Sequence, residues 1–272
     1  MEFVSFEGLR LDGRRKNEIR RARHAFAVSA DADGSARFEL GNTVVECRVD
    51  GPSERRGGRT EDGGAEACAV TCAHGRSAGE GTGGKRGDAR SRAFESALGR
   101  ALTSAVCVEL APRCEVSVRT TVLCDDGGAR AASACAAMLA LADAGVPMRG
   151  TLASCTVGFL DGEALVDVNG EEERGRGAEL WMCALRAGDV AGDVSDEDEG
   201  ENEAEDESVW RGGERKVRVL VEELERGKTT METFETMHDL ALAGCETLAR
   251  YLRRAMRDRT RALARARALE KF

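Results

Sequence analysis

Aromatic side chains are scarce, with eight Phe, two Trp and one Tyr among 272 residues. Base recognition on a row of stacking platforms is therefore a poor expectation, and core volume has to come from Ala, Val and Leu. Lysine is confined to positions 16, 85, 216, 228 and 271, so any phosphate contact falls to Arg, and no compact Lys-rich import signal is present. Residues 1–15 lack the apolar segment of a secretory leader, and no hydrophobic run approaches membrane-spanning length. These absences predict a reduced intracellular protein with no membrane partner.

Acidic residues are not scarce, but they are unevenly placed. The chain holds 49 Asp and Glu against 40 Lys and Arg, a net charge of -9. Ten of those acids lie between Asp193 and Ser208 with no base among them, and without them 39 acids face 40 bases. An acidic balance therefore does not exclude a polyanionic partner. The last 24 residues, from Ala249 to Phe272, carry eight Arg and one Lys against two acids, either an RNA-touching tail or a solvated helix face. The richness in Ala, Gly and Arg also fits a GC-rich coding sequence. Ten cysteines sit mostly singly in strand-like runs, which predicts buried thiols rather than disulfides. Cys68, Cys72 and His74 are the one close group, but they match no common zinc spacing.

Hydrophobic periodicity predicts strands at 36–39, 43–49, 66–73, 114–124, 151–160, 163–168, 179–186 and 216–222. Helical spacing predicts one helix over 89–110, stopped by Pro112, and an Ala-rich one opened by Gly127-Gly128 and running to about Ala144. Thr229 and Glu232 read as a capping box for a long last helix weakened by Gly244. The acidic run between the last two strands has little to pack and reads as a solvated insertion.

Several segments together carry a resemblance. Glu7-Gly8-Leu9-Arg10-Leu11-Asp12-Gly13-Arg14-Arg15 is followed by Asn17-Glu18-Ile19-Arg20, Ala32-Asp33-Gly34-Ser35-Ala36, Gly41-Asn42-Thr43 and Gly51-Pro52. Glu109-Leu110-Ala111-Pro112-Arg113, Asp125-Asp126-Gly127-Gly128-Ala129-Arg130 and the stretch from Leu139 to Arg149 complete the series. Over residues 8–187 and 215–255 the chain resembles RNase PH-type subunits of the RNA exosome ring. The opening looks like the ring's ribosomal-RNA-processing forty-one branch, and Met231–Thr236 resembles the plant and green-algal form.

The resemblance implies an α+β RNase PH fold of the ribosomal protein S5 domain 2 type. Its first half spans 1–149 and its second 150–255, interrupted by the acidic insertion at 188–213, with a basic helical tail over 256–272. It implies a nuclear, nucleolar and cytoplasmic ring, with other RNase PH-type subunits as neighbours, S1/KH-type cap subunits, a hydrolytic nuclease and threaded single-stranded RNA. Active relatives cut RNA with inorganic phosphate as attacking group and Mg2+ as metal, releasing nucleoside diphosphates.

Each motif of that machinery is altered here. The phosphate loop Gly-Gly-Thr-Arg reads Gly127-Gly128-Ala129-Arg130; the amides and Arg130 persist, Ala129 removes a hydroxyl, and Ser133 one turn on is a partial substitute. The glycines serve a strand-to-helix turn in any case. The RNA grip Asp-Arg-Arg-Ser reads Asp88-Ala89-Arg90-Ser91, with Arg86, Lys85 or Arg92 available to restore charge and Asp88 and Ser91 available as helix caps. The paired catalytic and metal-binding Asp positions hold Glu173 and Glu179. Asp167, Glu171 and Glu172 are spare ligands or, for the last two, a solvated acidic turn. The expectation is a ring subunit that contacts RNA with phosphorolysis weak or lost. The alternatives are an active phosphorolytic 3′-to-5′ exoribonuclease within the ring, or a free homohexamer trimming transfer-RNA 3′ ends.

Overall fold

Turn chemistry organises both sheets of the computed structural model, which describes residues 3–54, 68–76, 85–187 and 217–269. Strands β2 (Gly34–Leu40) and β3 (Thr43–Glu54) are joined through Gly41-Asn42, with Leu40 opposite Thr43. Gly41 takes φ +60°, the conformation that a tight two-residue hairpin demands. With β1 (Ala22–Phe26), β4 (Ala69–Arg76) and β5 (Cys114–Cys124), they form a five-stranded sheet ordered β1-β2-β3-β5-β4, in which only β4–β5 is parallel.

The second sheet, β7-β6-β8-β9, is antiparallel throughout. It comprises β6 (Gly150–Leu160), β7 (Glu163–Val166), β8 (Ala178–Ala187) and β9 (Val217–Glu225). Asp161 and Gly162 both take positive φ and close the β6–β7 hairpin. The acidic run 193–208, between β8 and β9, lies outside the described residues.

Helix α2 (Ala129–Asp143) runs between the sheets, and its residues from Ala131 to Leu141 are all buried. A helix apolar on every side belongs in a core, and its many alanines keep it thin enough for both sheets to close on it. Helix α1 (Lys85–Ala105) covers β4, and the long α4 (Met231–Leu269) covers β6 and β8. A single turn, α3 (Gly170–Arg174), sits between β7 and β8. No described helix is long and apolar enough to cross a membrane. The scarce large aromatics are spent at the centre, where Phe38, Phe94 and Trp181 are fully buried.

Three expectations are adjusted, and the expectation of thiols rather than disulfides holds. The helix expected over 89–110 ends at Ala105, because the chain peels off to pair with the 147–149 segment: Cys107 N donates to the Pro147 carbonyl at 2.9 Å and Arg149 N to that of Ala105 at 2.8 Å. A separate short turn follows at Val108–Leu110. Thr230 rather than Thr229 caps α4, its hydroxyl accepting from Thr233 N at 3.2 Å. Gly244 marks a close approach, since a Cβ there would lie 2.6 Å from Cys155 Sγ. All ten cysteines are free thiols, six of them buried.

Candidate active site

The loop between β5 and α2 depends on glycine at two successive positions. Gly127 (φ +83°) is pressed by the backbone entering α3, where a Cβ would meet the Asn169 carbonyl carbon at 2.5 Å. Gly128 (φ +69°) caps α2 in the left-handed region with no side chain on the cap. Below the loop, Thr43 Oγ1 donates to the Gly127 carbonyl at 2.7 Å and accepts from Asp126 N at 3.0 Å.

Arg20 fixes the loop from behind. It donates to the carbonyls of Asp126 (2.6 Å) and Gly127 (2.9 Å) and pairs with the buried Asp167 at 2.7 Å. Arg14 approaches the same carboxylate at 3.5 Å. Asp167 is thus committed to structure and is no spare ligand. The expectation of a solvated turn fails for Glu172, which is fully buried and held by Arg10 at 2.5 Å, while Glu171 is exposed and pairs with Arg174. The misplacement has a local cause: Asn169 caps α3 in a reciprocal box with Glu172, turning that carboxylate inward towards Arg10.

The same turn brings the next residue to the Gly127-Gly128 loop. Glu173 Oε1 accepts from Gly128 N at 2.8 Å. Burial raises the Glu173 carboxyl pKa, and the Gly128 bond opposes that rise. Glu179, at the start of β8, lies close enough to feel Glu173, Glu225 and Arg130; burial first and the Glu173 charge second push it to about 7. Arg130 lies 5.5 Å over the Phe94 ring. Its Nη2 pairs with Glu225 Oε1 at 2.5 Å and its Nη1 stands 3.9 Å from Glu223 Oε2. That Nη1 is buried without a hydrogen-bond partner.

Gly128 and Glu173 are thus in direct contact, and Glu179 lies within electrostatic reach of both Glu173 and Arg130. The remaining expected residues divide. Ser133 is fully buried and its hydroxyl donates to the Ala129 carbonyl at 2.8 Å, so it does not replace the donor missing at Ala129. Arg90 is exposed one helical turn before Phe94. Arg92 instead lines a groove with Cys72 and Gly99. Arg86 is on the first turn of α1, and its side chain lies outside the described residues. Ser91 does not cap α1; its hydroxyl donates to the His74 carbonyl at 3.3 Å.

Three contributors carried no sequence signal for this cleft. Glu223 and Glu225 are on β9, outside any motif. His74 meets the Phe94 ring edge at 4.7 Å and Thr120 Oγ1 at 2.9 Å. Burial, helped by Arg76 and Arg130, lowers its pKa to about 4, leaving a neutral imidazole. Arg76 pairs with Asp125 at the rim.

Chemically, the cleft offers a helix N-terminus and a guanidinium for an anion, with two carboxyl groups beside them. Both anion-holding groups already have carboxylate partners. For the divalent metal that the resemblance implies, Glu173 and Glu179 are the carboxylates at hand; among the described residues no three His, Cys, Asp or Glu side chains come together as ligands, and one Glu173 oxygen is already engaged by Gly128 N.

Residues 18–147 match the model of the 3′ exoribonuclease family, domain 1, RNase PH. The chain is similar to the exosome complex component RRP41 homolog of Arabidopsis thaliana, 35% identical over 271 residues that cover 98% of this chain and 100% of the relative. It is 38% identical over 195 residues to mouse exosome complex component RRP41, covering 70% of this chain and 79% of that one. Among solved structures, rice Rrp46 superposes with a TM-score of 0.69 at 21% identity, covering 91% of this chain and 100% of that one. A chain of the Archaeoglobus fulgidus exosome with RNA bound to the active site gives 0.66 at 22%, covering 92% and 93%. At such identities the structural likeness speaks for the fold.

Proposed function

The chain belongs to the 3′ exoribonuclease (RNase PH) family, and from that premise we propose that it is a core ring subunit of the RNA exosome whose own phosphorolysis is weak or lost. It serves 3′-to-5′ RNA processing and degradation by completing the ring and contacting the RNA. The near full-length similarity to an exosome component supports the assembly part of this reading. One observation carries the rest: the two groups that would hold an attacking phosphate are satisfied internally, Gly128 N by Glu173 and Arg130 by Glu225. Phosphate must displace both carboxylates against like-charge repulsion, and Ala129 supplies no compensating hydroxyl. In this reading the neighbours are other RNase PH-type subunits, S1/KH-type caps and a hydrolytic nuclease. The substrate is single-stranded RNA, and the ring works in nucleus, nucleolus and cytoplasm.

A second reading, a phosphate-dependent exoribonuclease in the ring or as a homohexamer, is favoured by the unpartnered Arg130 Nη1. There inorganic phosphate is the co-substrate, held by Arg130. The deciding assay is phosphate-dependent release of nucleoside diphosphates from 3′-tailed RNA by the reconstituted ring. The expected result is little release, unchanged in Glu179→Gln. Robust release abolished by that substitution would overturn the reading, and a homohexamer in native mass measurements would remove the ring assignment.

A further inference from the structure

Helix α4 outlasts the body it packs on. Its last anchor is Arg259, which pairs with Asp143 at 3.1 Å and lies 5.6 Å over the Phe26 ring. From Thr260 to Arg267 every residue is exposed. Across this departure Arg250, Arg254, Arg257, Arg261 and Arg265 are all exposed and follow one another at spacings of four, three, four and four. At 100° per residue they fall within an arc of about 80°, in a stripe about 22 Å long with a guanidinium roughly every 5 to 6 Å.

The stripe does little for the isolated fold, because like charges three and four residues apart destabilise a helix and the exposed Asp258 at its edge is the one acid set against five arginines. Arg250 reaches Thr247 Oγ1 at 3.5 Å, whereas Arg254, Arg257, Arg261 and Arg265 have no carboxylate partner among the described residues. The stripe also lacks what a protein partner would grip. Between the arginines it presents no large apolar or aromatic side chain, and Leu263 sits on the opposite side of the helix. Planar guanidinium forks at regular intervals with no apolar anchor suit a chain of phosphates better than an acidic protein surface.

We propose that the exposed arginine stripe of α4 is a second RNA-binding site, distinct from the phosphate-loop cleft, that holds the backbone of single-stranded RNA without reading its sequence. The choice of RNA as the polyanion rests on the family reading; the stripe itself does not.

The test uses the full chain, a labelled single-stranded RNA and a salt series, comparing the parent with the combined Arg254→Gln, Arg257→Gln, Arg261→Gln and Arg265→Gln variant. Glutamine is close to arginine in helix propensity, and circular dichroism verifies that the helix persists. Removing four phosphate contacts should lower the slope of log affinity against log salt by about 3 and weaken binding at low salt by at least about tenfold. The corresponding lysine variant should retain the slope, since it keeps the charge. An unchanged slope in the glutamine variant overturns the proposal. So does displacement of the RNA by polyglutamate of equal charge as effectively as by unlabelled RNA, which would make the stripe a site for acidic protein. Neither result touches ring assembly or nucleoside diphosphate release, so failure here remains separable from failure of the exosome reading.

Discussion

Replacing Glu179 by Gln should stabilise the protein, and more so as pH rises. In the fold, burial and the neighbouring Glu173 charge lift this carboxyl from 4.5 to about 7. Unfolding releases it to the ordinary value, so between those limits the folded state binds the extra proton. Stability from this group is fully present below about 4.5 and is lost as pH rises through about 7. At 1.36 kcal/mol per unit, the full difference is on the order of 3 kcal/mol. Less than about 1 kcal/mol of it has been lost at pH 5 and nearly all at pH 8, so about 2.5 kcal/mol should vanish between them. Gln has the same shape and cannot ionise. Urea unfolding of parent and variant at pH 5 and pH 8 isolates the effect, because every other titrating group is shared. The expected outcome is near-parity at pH 5 and a variant more stable by roughly 2 to 3 kcal/mol at pH 8. A stability difference independent of pH would refute the claim that Glu179 is held by burial beside Glu173.

Other perturbations follow from the same contacts. Glu225→Gln removes the carboxylate 2.5 Å from Arg130; for a partly exposed pair worth about 1 kcal/mol, inorganic phosphate should bind up to about fivefold tighter. Calorimetric titration checks this, and unchanged affinity would mean that Glu225 does not compete for Arg130. Arg10→Ala strips the fully buried Glu172 of its partner and frees the carbonyls of Val166 and Asp167. It should cost about 3 to 5 kcal/mol in denaturant unfolding, and a loss below about 1 kcal/mol would contradict the buried pairing. Arg186 is already paired opposite Val217 in adjacent antiparallel strands, so replacing residues 189–215 with a short turn should leave the thermal midpoint and ring assembly intact, as melting and native mass measurements would verify.

Legibility in the sequence followed the reach of the interaction. The strand Cys114–Cys124 and the loop that follows it were readable because alternation and a Gly-Gly pair are local signals. β1 was invisible: three of its five residues are exposed and it lies at the sheet edge, so it has no apolar alternation. α3 is a single turn, and nothing in Gly-Glu-Glu-Glu-Arg announces that its second carboxylate is buried. That depends on Arg10, 162 residues away in sequence. Glu173 and Glu179 are singled out by resemblance alone, and their partners carry no signal in the sequence. The Glu223 and Glu225 contacts to Arg130 arise from β9, which carries no motif and joins the site only through its register with β8.

Side-chain length at position 173 ties these observations together. A glutamate carries its carboxylate about 1.5 Å further from the backbone than an aspartate does. That reach is the scale on which a hydrogen bond is made or lost: Glu173 Oε1 stands 2.8 Å from Gly128 N, and a gap lengthened by a methylene would exceed hydrogen-bond range. On the proposed reading, the Asp-to-Glu difference that the resemblance implies does more than displace a ligand, because the longer carboxylate reaches the Gly128 amide. Arg130 shows the same outcome by another route, through a carboxylate supplied by the facing strand. The loop keeps the geometry of an anion site because Arg20, Thr43 and Asp167 fix its backbone from behind. Its charge is answered within the chain, by Glu173 at Gly128 and by Glu225 at Arg130, which is why the proposed reading separates the shape of the site from a capacity for phosphorolysis.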